Sequence, residues 1–206
     1  MRNRSENQMI LVLIRHGATK SNREHRYLGK TDEMLSAEGE KELMEYRKTQ
    51  CYPKVDYLFT SPMKRCIQTA EILYPGLNPC KIVEWEEMDF GAFEGKNYME
   101  LKGDDRYQEW IDSNGTLPFP EGECREDFCL RCDKGFQRMK KEIEQIGDTK
   151  GTKSVGAIVH GGTIMALLSR YCDGDYFDYQ VENGKGYVCV VGNKNDQLEI
   201  TELRKI

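Results

Sequence analysis

The sequence predicts an α/β fold: a mostly parallel central sheet with helices on both faces, a three-layer sandwich. Three observations predict it. Short, continuous apolar runs have the length of strands buried on both faces. Between them lie segments whose apolar residues recur every three or four positions, as on helices packed to a core. Strands and helices alternate along the chain, the order that yields parallel crossovers rather than hairpins.

Taken in order, Met9 to Ile14 is the first buried strand. Ser36 to about Lys48 is charged, with Leu43 and Tyr46 at helical spacing. Tyr57 to Thr60 is a second strand. Ser61-Pro62 is expected to start a helix, because Ser caps well and Pro suits the first helical position; Met63, Cys66, Ile67, Ala70 and Leu73 then mark its apolar face. Lys81 to Trp85 is expected to be a third strand. From Asn97 to Gly122 the pattern weakens and aromatics accumulate (Tyr98, Tyr107, Trp110, Phe119), which suggests a lid-like insertion over the carboxyl edge of the sheet. Phe128, Cys132, Phe136, Met139, Ile143 and Ile146 define a long amphipathic helix. Gly156 to Val159 is another buried strand and Thr163 to Arg170 another helix. Tyr187 to Val191 and Leu198 to Leu203 close the chain as strands. Residues 1–206 are expected to form one domain.

Composition narrows the functional classes. Of 206 residues, 38% are hydrophobic and 32% charged, which is globular rather than disordered. The net charge is −5, and no Lys/Arg block is long enough to serve nucleic acid or an anionic membrane. The longest apolar run is far short of a membrane span, and the polar segment Met1 to Gln8 lacks the order of a signal peptide. A cytoplasmic protein is expected. Eight cysteines are scattered through apolar patterns and read as free thiols serving as small core residues. Cys124, Cys129 and Cys132 match the spacing of some iron–sulfur sites, but they fall on a predicted helix, a poor shape for wrapping a cluster. No cofactor and no metal are expected. A homodimer is compatible with the sequence, which does not define the oligomeric state.

Ligands of open α/β sheets bind beyond the carboxyl ends of the strands. Arg15-His16-Gly17 follows the first strand, Ser61-Pro62 and Arg65 the second, Glu87 the third, and His160-Gly161-Gly162 the fourth. Two of the chain's three histidines thus sit between a buried strand and a glycine. Arginine forks suit phosphate oxygens, imidazole can attack phosphorus and leave again, and a carboxyl can protonate a leaving alcohol. A second histidine, if protonated, adds charge where the transferring group becomes negative. The glycines let backbone N–H groups approach an oxyanion. These residues point to phosphoryl transfer without a metal, on a small phosphorylated metabolite.

Four motifs carry a family resemblance. Leu13-Ile14-Arg15-His16-Gly17-Ala18-Thr19 with Asn22, Arg26, Gly29, Asp32, Leu35, Ser36 and Gly39 resembles the N-terminal signature of the histidine phosphatase superfamily, in its phosphoglycerate mutase-like branch. Ser61 to Ala70, Glu87 to Gly95, and Val159-His160-Gly161-Gly162 are similar to its later motifs, in order. The resemblance spans roughly residues 9 to 200. It implies that His16 is the phosphorylated nucleophile, that Arg15, Arg65 and His160 bind the phosphoryl oxygens with Asn22 and the Gly161 N–H, and that Glu87 is the proton donor and later the base. Asp89 and Glu86 are rivals of Glu87. His25 is read as solvated, with substrate contact as the alternative, Arg26 as holding the loop or a distal part of the substrate, Ser61 as a helix cap and Thr69 as a packing residue. Cys124 stands where the family commonly has serine.

The short chain and the segment EMDFGAFEG look like the small phosphatases of the family, including α-ribazole phosphatases, more than the glycolytic mutase. A phosphomonoesterase is therefore expected, with a phosphoglycerate mutase as the alternative and a non-catalytic phosphate-binding module as a third reading. The aromatic insertion either stacks on a substrate ring or packs a small cap, and packing is favoured.

Overall fold

The structure, a computed structural model, describes residues 8–49, 52–146, 153–194 and 197–206. Residues 1–7 of the polar lead-in and Cys51 lie outside the described residues. The first strand, β1, spans Met9–Arg15. A short helix, α1 (Lys20–Arg23), and a longer one, α2 (Ala37–Lys48), follow. Ser36 caps α2 by accepting the Gly39 N–H at 3.0 Å. Next come β2 (Tyr57–Thr60), α3 (Lys64–Leu73) and β3 (Cys80–Lys81). The insertion holds α4 (Tyr98–Leu101) and α5 (Asp105–Asp112). The chain closes with α6 (Arg125–Gln145), β4 (Lys153–Val159), α7 (Gly161–Tyr171), β5 (Gly186–Lys194) and β6 (Gln197–Lys205).

The sheet runs β3-β2-β4-β1-β5-β6. β1, β2, β3 and β4 are mutually parallel, while β5 and β6 are antiparallel additions at one side. Alternation along β1 divides the core between two faces. Leu11 and Leu13 join Phe128, Phe136, Met139, Ile164 and Leu167 from α6 and α7. Val12 and Ile14 join Leu43, Cys66, Ala70 and Leu73 from α2 and α3. This is the expected three-layer α/β sandwich.

Two expected elements are corrected. The third strand stops at Lys81, and Val83–Trp85 forms a 3₁₀ turn instead. Trp85 decides this. Its fully buried indole donates to the Cys132 carbonyl at 3.2 Å and packs where Gly135 of α6 leaves room. The helix after β2 begins at Lys64, not at Ser61-Pro62. Met63 is still extended, at φ −68° and ψ 141°, and the Ser61 N–H extends the sheet by donating to the Ile158 carbonyl at 3.0 Å.

The insertion is tied to the loop after β1. Arg26 donates to the Gly95 carbonyl and to Glu100, both at 2.6 Å, and to Glu24 at 2.7 Å. Its aromatics pack on one another: Trp110 stacks on Phe119 with centroids 4.7 Å apart, and Tyr107 meets Phe93 edge-on at 5.4 Å. These rings are used for packing, as favoured, while Tyr98 is exposed.

Candidate active site

Strand register assembles the pocket. Arg15 pairs with Val159 across β1 and β4, so the next residues, His16 and His160, emerge side by side. Thr60 pairs with Ile158 across β2 and β4, which brings Ser61 to the same place. Ile14 pairs with Gly186 of antiparallel β5, so the loop entering β5 arrives at this edge too.

The two imidazoles lie 5.2 Å apart, centroid to centroid, with their planes inclined at 68°. Both are buried. His16 Nδ1 is 2.7 Å from the Gly17 carbonyl oxygen. A carbonyl only accepts, so Nδ1 carries the proton and Nε2 is left with its lone pair. Burial holds the His16 pKa well below its ordinary value, and the charges of Arg65 and Arg15 push the same way, against the Gly17 bond. The neutral ring with a free Nε2 is the nucleophilic form.

His160 is likewise held well below the ordinary histidine pKa, by burial first and then by Arg65, His16 and Arg15. The protonated His160 considered from the sequence is therefore not its resting form. A bound phosphate dianion would act in the opposite sense on both rings. One nitrogen of His160, Nε2, is 2.8 Å from Ser61 Oγ; the other, Nδ1, is 3.8 Å from Glu87 Oε2.

The guanidinium of Arg65 is fully buried, yet it meets no carboxylate among the described residues. Its two terminal nitrogens donate to the Thr31 and Gly29 carbonyls, at 2.8 and 2.9 Å, and its Nε has no partner. Arg15 donates from Nη1 to the Val181 carbonyl at 2.8 Å, and its buried Nε is also unpartnered. Burial depresses the Arg15 pKa, and Arg65 adds to this while Glu87 opposes it. Unpaired buried donors on two neighbouring cations are costly unless an anion answers them.

Glu87 sits on the opposite side of His160. Burial raises its pKa above the ordinary carboxyl value, although the Met88 N–H, Arg65, Arg15 and Arg131 all favour the anion. Its rivals are placed differently. Glu86 is exposed. Asp89 pairs with Lys30 at 2.5 Å and accepts the Gly91 N–H at 3.0 Å, which makes it a loop anchor. Asn22 accepts the Thr19 N–H and the Asn183 side-chain N–H through Oδ1, leaving its own NH₂ to donate. Gly161 opens α7 behind Arg15, but the tighter position is Gly162, where a Cβ would come within 2.7 Å of Glu87 Oε1.

All seven residues singled out from the sequence (Arg15, His16, Asn22, Arg65, Glu87, His160 and Gly161) belong to this carboxyl edge. His25 is exposed, at φ +53°. Thr69 does more than pack: it accepts the Gly17 N–H at 3.0 Å and donates to the Arg65 carbonyl at 2.6 Å, linking the His16 loop to α3. Cys124 caps α6, its sulfur accepting from the Asp127 N–H at 3.4 Å. Cys132 is buried in the core and Cys129 is half-buried on α6.

Three contributors escaped the sequence reading. Ser61 contacts His160 instead of capping a helix. Asn183 donates to the His16 carbonyl at 3.0 Å and holds Asn22; the Asn-Gly pair ahead of an apolar run was its only signal. Arg131, from the middle of α6, donates to the carbonyls of Glu84, Glu86 and Glu87 while chelating Glu123, and so fixes the backbone that carries Glu87. Nothing in its local pattern marks it.

Two imidazoles, two guanidiniums and a carboxyl of raised pKa thus stand together at the carboxyl edge of an α/β sandwich. Residues 11–204 match the model of the histidine phosphatase superfamily, branch 1, and the chain belongs to that family. It is 32% identical over 170 residues to the uncharacterized phosphatase PhoE of Bacillus subtilis, covering 80% of this chain and 78% of that one. It is 31% identical over 167 residues to the 2,3-bisphosphoglycerate-dependent phosphoglycerate mutase of Cytophaga hutchinsonii, covering 77% and 75%. In fold it is similar to the α-ribazole phosphatase of Shigella flexneri, with a TM-score of 0.77, 21% identity, and 95% and 96% of the two chains covered.

Proposed function

We propose that this protein hydrolyses a small phosphomonoester through a phosphohistidine on His16. The observation that carries the proposal is two arginines whose buried Nε–H groups are unanswered, beside a neutral histidine with its Nε2 lone pair free. A phosphate dianion answers both arginines at once. In the first step His16 Nε2 forms a bond to phosphorus as the ester P–O bond breaks, and the Glu87 proton passes to the leaving alcohol oxygen. In the second, water attacks phosphorus and gives its proton to the Glu87 carboxylate. The P–N bond breaks, releasing inorganic phosphate and neutral His16. Arg15, Arg65, His160, Asn22 and the Gly161 N–H hold the phosphoryl oxygens through both steps.

The pH dependence of kcat/KM follows from the two shifts. His16 must be unprotonated, so the acid limb lies below the ordinary histidine range. Glu87 must be protonated, so the alkaline limb lies above the ordinary carboxyl range. The arginines supply the charge that magnesium supplies in other phosphoryl transfers, so EDTA is expected to leave the rate unchanged; strong inhibition would reject the metal-free route.

The phosphatase named among the relatives supports hydrolysis, and the relative named a mutase keeps phosphoglycerate isomerisation as a second reading. Product analysis separates them. A panel including α-ribazole 5′-phosphate and 3-phosphoglycerate should yield free phosphate from at least one ester. Isomerised phosphoglycerate without net phosphate release would favour the mutase, and neither product would favour a binding module.

A further inference from the structure

Ser61 lies in the family's second motif, at the end of β2, and is completely buried. Its backbone is anchored to β4 through the Ile158 carbonyl. Its hydroxyl oxygen accepts the Met63 N–H at 3.4 Å and stands 2.8 Å from His160 Nε2. The ring's other hydrogen-bond contact among the described residues is the Cys66 sulfur, 3.7 Å from Nε2 and 3.9 Å from Nδ1, a weak partner whose thiol burial pushes up to about 12. Ser61 thus supplies the oxygen partner of a ring that also lies against the Cys66 sulfur, His16 and Glu87.

A neutral imidazole has one N–H and one lone pair. With Met63 occupying one lone pair of Ser61 Oγ, the single hydroxyl proton is offered to Nε2 or to the neighbouring Cys66 sulfur, and an imidazole nitrogen is the better acceptor. When it donates to Nε2, the His160 proton must be on Nδ1. That nitrogen lies 3.8 Å from Glu87 Oε2, on a ring whose centroid is 5.2 Å from that of His16. The opposite tautomer would aim a lone pair at an arriving phosphate dianion. If His160 gains a proton during transfer, the same hydroxyl can rotate and accept Nε2–H, so it serves both charge states.

We propose that Ser61 is a positioning residue that holds His160 as the Nδ1–H tautomer, aimed at the transferring phosphoryl group. This rests on the phosphohistidine reading above, and it assigns Ser61 a part in the reaction rather than in helix capping. Ser61 touches no reacting atom; it acts through His160.

The test has two readouts. The protein has only three histidines, so nitrogen-15 labelling of their rings gives separable signals. His160 in the wild-type protein should show a protonated Nδ1 and an unprotonated Nε2 at neutral pH, and Ser61→Ala should shift it to a mixture of tautomers. A wild-type His160 protonated at Nε2 alone would overturn the proposal without any variant. In rapid-quench kinetics, folded Ser61→Ala should form phosphoenzyme about ten- to a hundredfold more slowly. That is a smaller loss than the roughly 10²–10³ of deleting a transition-state donor outright. Ser61→Thr, which keeps the hydroxyl, should recover most of the rate. Equal phosphorylation rates in Ser61→Ala and wild type, or a loss that Ser61→Thr fails to recover while its His160 tautomer is native, would reject the role. Failure of the wild-type protein to form phosphoenzyme would instead reject the reading on which it rests.

Discussion

The pocket at the carboxyl edge and the insertion beside it treat charge in opposite ways. In the insertion and the loop tied to it, charged groups find partners nearby and in water: Arg26 meets Glu24 and Glu100, and Arg106 meets Asp104. In the pocket, cations are buried with donors left over, two histidines are kept neutral, and a carboxyl is kept from ionising easily. Exposed pairs of the first kind contribute little to stability, usually under about 1 kcal/mol. Groups of the second kind are held at a cost in folding energy, and that arrangement is useful only if something binds there. Charge that is left unsatisfied by a rigid fold therefore locates the chemistry better than charge that is abundant.

Substitutions can break this contrast, and the largest effect is expected at Arg65. Arg65→Lys keeps the charge but cannot hold the Gly29 and Thr31 carbonyls and a phosphoryl oxygen together. It should lower kcat/KM by about 10²–10³, measured with saturating and limiting substrate. A loss under about fivefold would show that the fork is not used.

Glu87→Gln sharpens the contrast because activity and stability should move apart. Turnover of alkyl phosphates should fall by roughly 10²–10⁴, and that of aryl phosphates, which leave without a proton, by much less. Equal slowing would assign the proton donor elsewhere. The folded-state pKa of Glu87 is raised, so the folded protein resists ionising it. That penalty is absent below the unfolded value of about 4.3 and full once pH exceeds the folded value. Glu87→Gln should therefore raise the melting temperature at neutral pH, with a gain that shrinks as pH falls towards 4. A variant less stable than wild type at neutral pH would contradict the burial argument.

The smallest effect on catalysis is expected in the insertion. Trp110→Ala removes the ring stacked on Phe119. It should destabilise by about 2 kcal/mol, less than the roughly 3–5 of a fully buried aromatic, while kcat/KM stays within about twofold of wild type. A large rise in KM with unchanged stability would return these rings to substrate stacking.

Much of the fold and the pocket could be read from the chain, for identifiable reasons. Met9–Ile14, Tyr57–Thr60 and Gly156–Val159 are strands buried on both faces, and such strands appear as unbroken apolar runs. Where each run stops, a polar residue must be at the sheet edge, and His16 and His160 stand at two of those stops. What the chain concealed was tertiary. Val83–Trp85 looks like a strand until the indole of Trp85 is placed against α6. Ser61-Pro62 has every local mark of a helix start, but β4 and His160 claim Ser61 first. The antiparallel course of β5, which delivers Asn183, is marked locally by no more than the Asn183-Gly184 pair, and the reach of Arg131 along α6 to the Glu87 backbone leaves no trace at all.

The most direct measurement is a rapid quench of the protein with radiolabelled phosphomonoester, followed by peptide mapping. The account predicts acid-labile, alkali-stable label on the peptide containing His16, formed and lost at rates compatible with turnover and absent from His16→Ala. Full turnover with no label on His16, or with label on another side chain, would contradict it.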